Sequence, residues 1–208
     1  MAEGLPVANL EAQGKSVVLL VVEGEVRSLF AVADTIRDSS REALAELHDL
    51  GIHTLMLSGD NPHAARAIAN QAGIDRAEGN LLPEDKARAI ERLADEGKVG
   101  MVGDGINDAP ALARADIGFA MGAAGTDIAI ETADVALMSD DLRKIPAFVR
   151  LSRATSRVLM QNIVLALGIK AVFLVLTFTG DATMWMAVFA DMGASLLVVA
   201  NGLRLLRG

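Results

Sequence analysis

The chain has no cysteine, which excludes a disulfide framework, a thiolate metal site and a thiol redox switch within these residues. It also lacks an excess of basic residues. Nineteen Lys and Arg stand against 27 Asp and Glu, a formal net charge of −8. That balance argues against nucleic acid as a partner, since non-specific binding needs a basic surface. Met1 is followed by Ala-Glu-Gly-Leu-Pro, without the basic and then apolar stretch of a signal peptide. No internal repeat or low-complexity tract interrupts the 208 residues. Apolar residues are in excess, 52% of the total, with a mean hydropathy of +0.38. The excess concentrates after about Val158. An acidic part able to bury its own core is followed by a membrane part.

Apolar, β-branched runs at 16–22 and 26–32, separated by Glu23-Gly24-Glu25, predict a hairpin. Residues 39–50 place Ala43, Leu44, Leu47 and Leu50 on one helical face, with Ser39 or Ser40 as cap and Gly51 as stop. A strand at 52–57 follows, then helices at about 62–71, stopped by Gly73, and 84–95, stopped by Gly97. The remaining elements are strand 99–102, short helix 107–113, strand 117–121, helix 126–132 and strand 135–138. Such alternation predicts a parallel sheet with helices on both faces. Ligand sites in these sheets lie off the carboxyl ends of the strands, where Ser58 and Asp104 fall.

The densest cluster of chemistry is Gly103-Asp104-Gly105-Ile106-Asn107-Asp108-Ala109-Pro110-Ala111-Leu112, directly after strand 99–102. Glycine tolerates the backbone angles of a sharp turn, and Asn107 and Pro110 suit the first turn of a helix. Asp104 then sits at the end of a strand with Asp108 about one helical turn further on. Hard oxygens so placed suit Mg²⁺ that is also held by a phosphate. The plainer alternative is a polar turn whose aspartates cap the helix, but capping needs one carboxylate, not three polar groups.

This block resembles a motif of the phosphorylation domain of P-type cation-transporting ATPases, a branch of the haloacid dehalogenase-like superfamily. Ser58-Gly59-Asp60-Asn61 and Leu82-Pro83-Glu84-Asp85-Lys86 match that family in order and spacing, and Asp34-Thr35-Ile36-Arg37 resembles its hinge to the nucleotide-binding domain. The resemblance runs from about Gly14 to the carboxyl end. It implies a haloacid dehalogenase-like α/β domain followed by two transmembrane helices. Residues 1–33 would end the nucleotide-binding domain, 34–141 would form a partial phosphorylation domain, and 142–208 a stalk and helix pair. It further implies ATP as substrate and Mg²⁺ as cofactor, with Asp104 holding the Mg²⁺ and Asp108 supporting it. Lys86 would neutralise phosphoryl charge, Ser58 and the Gly59 backbone would bind its oxygens, Asn107 would orient it, and Asp60 would contact nucleotide or metal.

The second half reads as membrane. Residues 158–178 are an apolar run of about 21, or roughly 31 Å of helix, and 184–203 form a second. Arg150, Arg153 and Arg157 precede the pair and Arg204 and Arg207 follow it, while the turn at 179–183 has no basic residue. The positive-inside rule puts both ends in the cytoplasm, and the resemblance implies a multi-pass protein of a bacterial inner or plasma membrane. A buried helical hairpin of a soluble protein is the alternative. Lys170 and Asp191 each place a charge at nearly the same depth. Asp191 is read as an oxygen ligand of a transported cation and Lys170 as its counter-charge; a purely structural ion pair is the alternative. Asp191-Met192-Gly193, with lysine in the preceding helix, resembles the zinc-, cadmium- and lead-exporting branch.

That family forms an aspartyl-phosphate within Asp-Lys-Thr-Gly-Thr, a segment absent here; Asp85-Lys86 runs on as Ala87-Arg88. The resemblance places that aspartate on a central strand between those of Ser58 and Asp104. The chain is therefore expected to be the carboxyl-terminal piece of a pump, inactive without its amino-terminal part. A membrane-anchored phosphatase would need its own nucleophile on an early strand, and none precedes Asp34. A non-enzymatic remnant is the third alternative. His48, His53 and His63 are read as ordinary residues.

Overall fold

The computed structural model describes residues 7–12, 15–32, 36–104, 107–122, 131–181 and 183–207. Contacts divide the chain into two units, Met1–Pro146 and Ala147–Gly208. In the first, a short helix α1 (Val7–Ala12) precedes the antiparallel ribbon β1 (Ser16–Val22) and β2 (Glu25–Val32). Glu23 and Gly24 turn it with φ of 52° and 80°, the mirror-image turn that follows strand twist. The predicted hinge residues Asp34 and Thr35 lie outside the described residues.

Helix α2 (Asp38–Asp49) starts earlier than its serines suggest, and no side chain caps it. Asp38 in its first turn complements the helix dipole instead, and Gly51 ends it at φ 73°. Strand β3 (Leu55–Leu57) is half the predicted length, because residues 52–54 are diverted. Ile52 donates back to the Leu47 carbonyl at 3.0 Å, and Thr54 donates to the Asp75 carboxylate from its backbone at 2.7 Å and its hydroxyl at 3.1 Å. His48 Nε2 lies 3.2 Å from the same oxygen, so this histidine has a structural role that the sequence did not show.

Thr54, backbone first, and then His48 hold the Asp75 carboxyl below its ordinary 3.8. A depressed carboxylate stabilises the fold above its unfolded value, and that support is lost as pH falls through the folded value. Asp75→Asn is therefore expected to lower the unfolding midpoint at pH 7. The gap to the unsubstituted chain should close below pH 3.8 in a urea titration followed at several pH values.

Helix α3 (Pro62–Ala72) buries Ala64, Ala65, Ala69 and Ala72 and ends at Gly73 with φ 83°. Strand β4 (Arg76–Glu78) escaped the sequence reading, since Arg-Ala-Glu carries no apolar run. It pairs in parallel with β3. Helix α4 (Pro83–Glu96) leads to β5 (Gly100–Gly103), α5 (Ala109–Leu112), β6 (Ile117–Met121) and β7 (Val135–Leu137). Of the predicted helix 126–132, only residues 131–132 are described, and they are helical.

The single predicted sheet is divided. Strands β5, β6 and β7 form one parallel sheet, β3 and β4 another, and the ribbon a third. Strands β3 and β5 share no ladder, yet both reach one core. Ile90 of α4, Met101 of β5 and Ala111 and Leu112 of α5 are buried there, with Leu57 of β3 packed against them. Among the described residues no strand fills the position between β3 and β5.

The end of this unit, up to Pro146, is held by charge and packing. Arg37 donates to the Asp140 carbonyl at 3.2 Å, and Arg143 bridges Glu42 at 3.2 Å and Asp141 at 2.9 Å. Asp141 also accepts from the Arg143 backbone at 3.1 Å, just before helix α6 (Lys144–Thr179) begins. Ile145 and Pro146 in its first turn are buried.

In the second unit α6 runs unbroken through the apolar segment, and α7 (Met184–Leu203) follows after Gly180 at φ 82°. Thr183 caps α7 by accepting from Met186 N at 3.3 Å. Both helices are long and apolar enough to cross a membrane. Their large side chains face outward; Leu167 is 62% exposed and Phe189 71%. Asn201 links them: its Nδ2 donates to Asn162 Oδ1 at 2.9 Å and to Gln161 Oε1 at 3.3 Å.

Candidate active site

Three motif loops of the first unit meet through short contacts. Ser58 directly follows β3 and is buried. Its hydroxyl donates to Asp60 Oδ2 at 2.9 Å and accepts from Asp60 N at 3.1 Å, closing a tight turn. Asn61 then caps α3 by accepting from Ala64 N at 2.9 Å. The segment after β4 braces this turn from outside. Asn80, at φ 56°, donates to the Asp60 carbonyl at 2.6 Å, and Leu81 N to the Ser58 carbonyl at 3.0 Å. Gly79 is required by space: a Cβ there would meet Asp60 O and Pro62 Cα at 2.7 Å.

The brace leads straight into α4. Pro83 opens that helix, and Asp85 accepts from Leu82 N at 3.0 Å. That bond, and then Arg88, hold the Asp85 carboxyl below its usual range. Asp85 is therefore spent on the helix terminus. Lys86 lies one turn before the buried Ile90 and shares its face. Burial of Ile90 against Met101 and Leu112 aims that face at the end of β5. Lys86 Nζ reaches Asp108 Oδ1 at 2.7 Å, with both side chains about 15% exposed.

Asp108 occupies the cap position of α5, but its carboxylate makes no cap bond. The capping alternative therefore fails for this residue: its charge serves Lys86. The predicted helix 107–113 shortens to Ala109–Leu112 in consequence, with Asn107 exposed in the bend before it. Asp104 follows β5 and is exposed, while Gly105 and Ile106 lie outside the described residues.

Gly103 was expected to serve the turn, and its role is different. A Cβ there would meet Asp108 Cβ at 2.7 Å and Oδ2 at 2.8 Å. Gly103→Ala should therefore cost about 1–3 kcal/mol, as overpacking does. The loss should largely vanish in a background already carrying Asp108→Gly, which removes the Cβ as well as the carboxylate. A double-mutant cycle on urea denaturation checks this.

Among the described residues no three His, Cys, Asp or Glu side chains cluster to cage a metal. The single hard carboxylate of Asp104 fits Mg²⁺, which binds one or two carboxylates and takes its remaining oxygens from water and phosphate. In the second unit Lys170 and Asp191 are both exposed. Among the described residues no ion pair joins them.

A family model for haloacid dehalogenase-like hydrolases matches residues 3–116, more than half of the chain. The chain belongs to that family. A probable cadmium-transporting ATPase of Alkalihalophilus pseudofirmus is 52% identical over 97% of this haloacid dehalogenase-like chain, which covers 28% of the relative. A copper-exporting P-type ATPase of Bacillus subtilis is 49% identical over 95% of it, covering 25% of that relative. The crystal structure of a zinc-transporting PIB-type ATPase in its E2.Pi state aligns with a TM-score of 0.86 at 48% identity. That match covers 96% of this chain and 33% of the other. The haloacid dehalogenase-like chain thus spans about a quarter to a third of the length of these relatives.

Proposed function

We propose that the chain serves as the phosphate-handling and final membrane segment of an ATP-driven exporter of divalent heavy-metal cations. The observation that carries this reading is the Lys86–Asp108 ion pair at 2.7 Å. It fixes an ammonium beside the end of β5, where Asp104 emerges, while Leu81 ties the Ser58 turn to the start of the same helix. Phosphoryl transfer asks for positioning and charge neutralisation more than for covalent chemistry.

In this reading Lys86 offsets phosphoryl charge, and Asp108 holds it in place. Ser58 and the Gly59 amide hydrogen-bond the phosphoryl oxygens, and Asn107 orients them. Asp104 would hold Mg²⁺, which would supply charge neutralisation at the phosphoryl group. Asp60, held against Ser58, faces nucleotide or metal. The acceptor aspartate comes from sequence outside this chain, on a strand between β3 and β5. Asp191 contributes an oxygen to the transported cation and Lys170 a counter-charge, with both helix ends in the cytoplasm.

Identity to cadmium and copper pumps is nearly equal, 52% and 49%. The divalent reading therefore rests on Asp191, a hard carboxylate that suits Zn²⁺ or Cd²⁺ better than a soft monovalent ion. The test is ATP hydrolysis by the longer protein that contains this chain, with Zn²⁺, Cd²⁺, Pb²⁺ or Cu⁺ added singly. Stimulation by the divalent metals and not by Cu⁺ supports the reading; stimulation by Cu⁺ alone overturns it. The 208-residue chain by itself should form no acid-stable, hydroxylamine-sensitive phosphoprotein from γ-labelled ATP and Mg²⁺.

A further inference from the structure

The first unit carries the chain's acidic excess, whereas the second is basic. Between residues 142 and 180, and again after Asp191, there is no Asp or Glu. Arg157 and Arg204 are exposed at the inner edges of the two apolar runs. Among the described residues neither is paired with a carboxylate.

The Asn201 contact fixes where these arginines stand. Asn201 bonds Gln161 and Asn162, so residues 161 and 201 are level on two helices of opposite direction. Arg157 lies four residues before Gln161, and Arg204 three residues after Asn201. At about 1.5 Å per residue, both lie roughly 4–6 Å beyond the contact, toward the same end of the helix pair. Arg204 NH1 donates to Asn201 Oδ1 at 3.2 Å, which orients its guanidinium from that contact. Two forked cations therefore stand one helical turn outside a polar link, bordered by apolar side chains.

We propose that Arg157 and Arg204 bind the head-group phosphate of an anionic phospholipid, with Asn201 as the residue that holds the two helices at the required spacing. Guanidinium matches phosphate oxygens in fork geometry, and the adjacent apolar faces of α6 and α7 suit acyl chains. This inference rests on the membrane reading of the helices and not on the pump reading.

The test uses the full chain, first shown to float with phosphatidylcholine vesicles and then released into mild detergent. Native mass spectrometry reads retained phosphatidylglycerol against phosphatidylcholine. Preferential retention of phosphatidylglycerol is expected, falling about five-fold for Arg157→Gln or Arg204→Gln and more for both together. Asn201→Ala should also weaken it, Arg157→Lys should keep part of it, and Lys98→Gln should leave it unchanged. Helical circular dichroism verifies that each variant is folded. Unchanged retention in the folded double variant overturns the proposal, as does equal retention of the neutral lipid. Displacement by millimolar inorganic phosphate would make this a general anion site and overturn the lipid assignment. Failure to float with vesicles would overturn the membrane reading and this inference with it, leaving the phosphoryl site untouched.

Discussion

Asp191→Ala in the longer protein that contains this chain should abolish metal-stimulated ATP hydrolysis and leave phosphorylation from inorganic phosphate largely intact. The substitution removes the one anionic oxygen ligand that this helix offers a cation. Metal affinity should fall by at least the roughly 10–100-fold that loss of a mere supporting partner costs a metal site. Lys170→Ala should be milder. The lysine ligates nothing, and it makes no ion pair with Asp191 among the described residues. Zinc stoichiometry on purified protein, read beside phosphoenzyme formation, separates the two variants. Normal zinc binding and normal stimulation in Asp191→Ala would remove that residue from the metal site.

Asp104→Ala should show the reverse pattern. Zinc binding at the membrane helices should survive, while phosphoenzyme formation falls by about 10²–10³, the range for loss of one preorganised electrostatic partner. Asp104 is exposed after β5 and is not a member of the buried apolar core, so its removal opens no core cavity. The thermal midpoint should accordingly hold in Asp104→Ala while the phosphoryl chemistry is lost. A matching loss of zinc binding would mean that the variant had disturbed the whole protein.

The sequence showed what depends on residue type and local spacing. The stops at Gly51 and Gly73, the ribbon turn at Glu23-Gly24 and the two apolar helices were all legible, since glycine at positive φ and apolar periodicity are local signals. Contacts across the chain were not legible. The service of Asp108 to Lys86 depends on Ile90 aiming α4 at β5, a fact of packing that no spacing rule contains. Gly103 is needed for the approach of that carboxylate, whereas sequence reasoning assigned it to backbone freedom. The three-residue β4, and the Asp75 bonds that shorten β3, are likewise decided by a partner more than twenty positions away. Division of the sheet followed from the same source: β3 and β5 share a core without sharing a ladder. The Asn201 link between α6 and α7 joins residues about forty positions apart, and only the pairing of the helices reveals it.

The central claim is that this chain supplies the charge-neutralising side of a phosphoryl site whose acceptor lies in other sequence. Reduction of the acyl phosphate with labelled borohydride in the longer protein, followed by peptide mapping, tests it most directly. The account predicts that the modified aspartate maps outside these 208 residues and that its labelling disappears in Asp104→Ala. Labelled homoserine at any aspartate within this chain would contradict it.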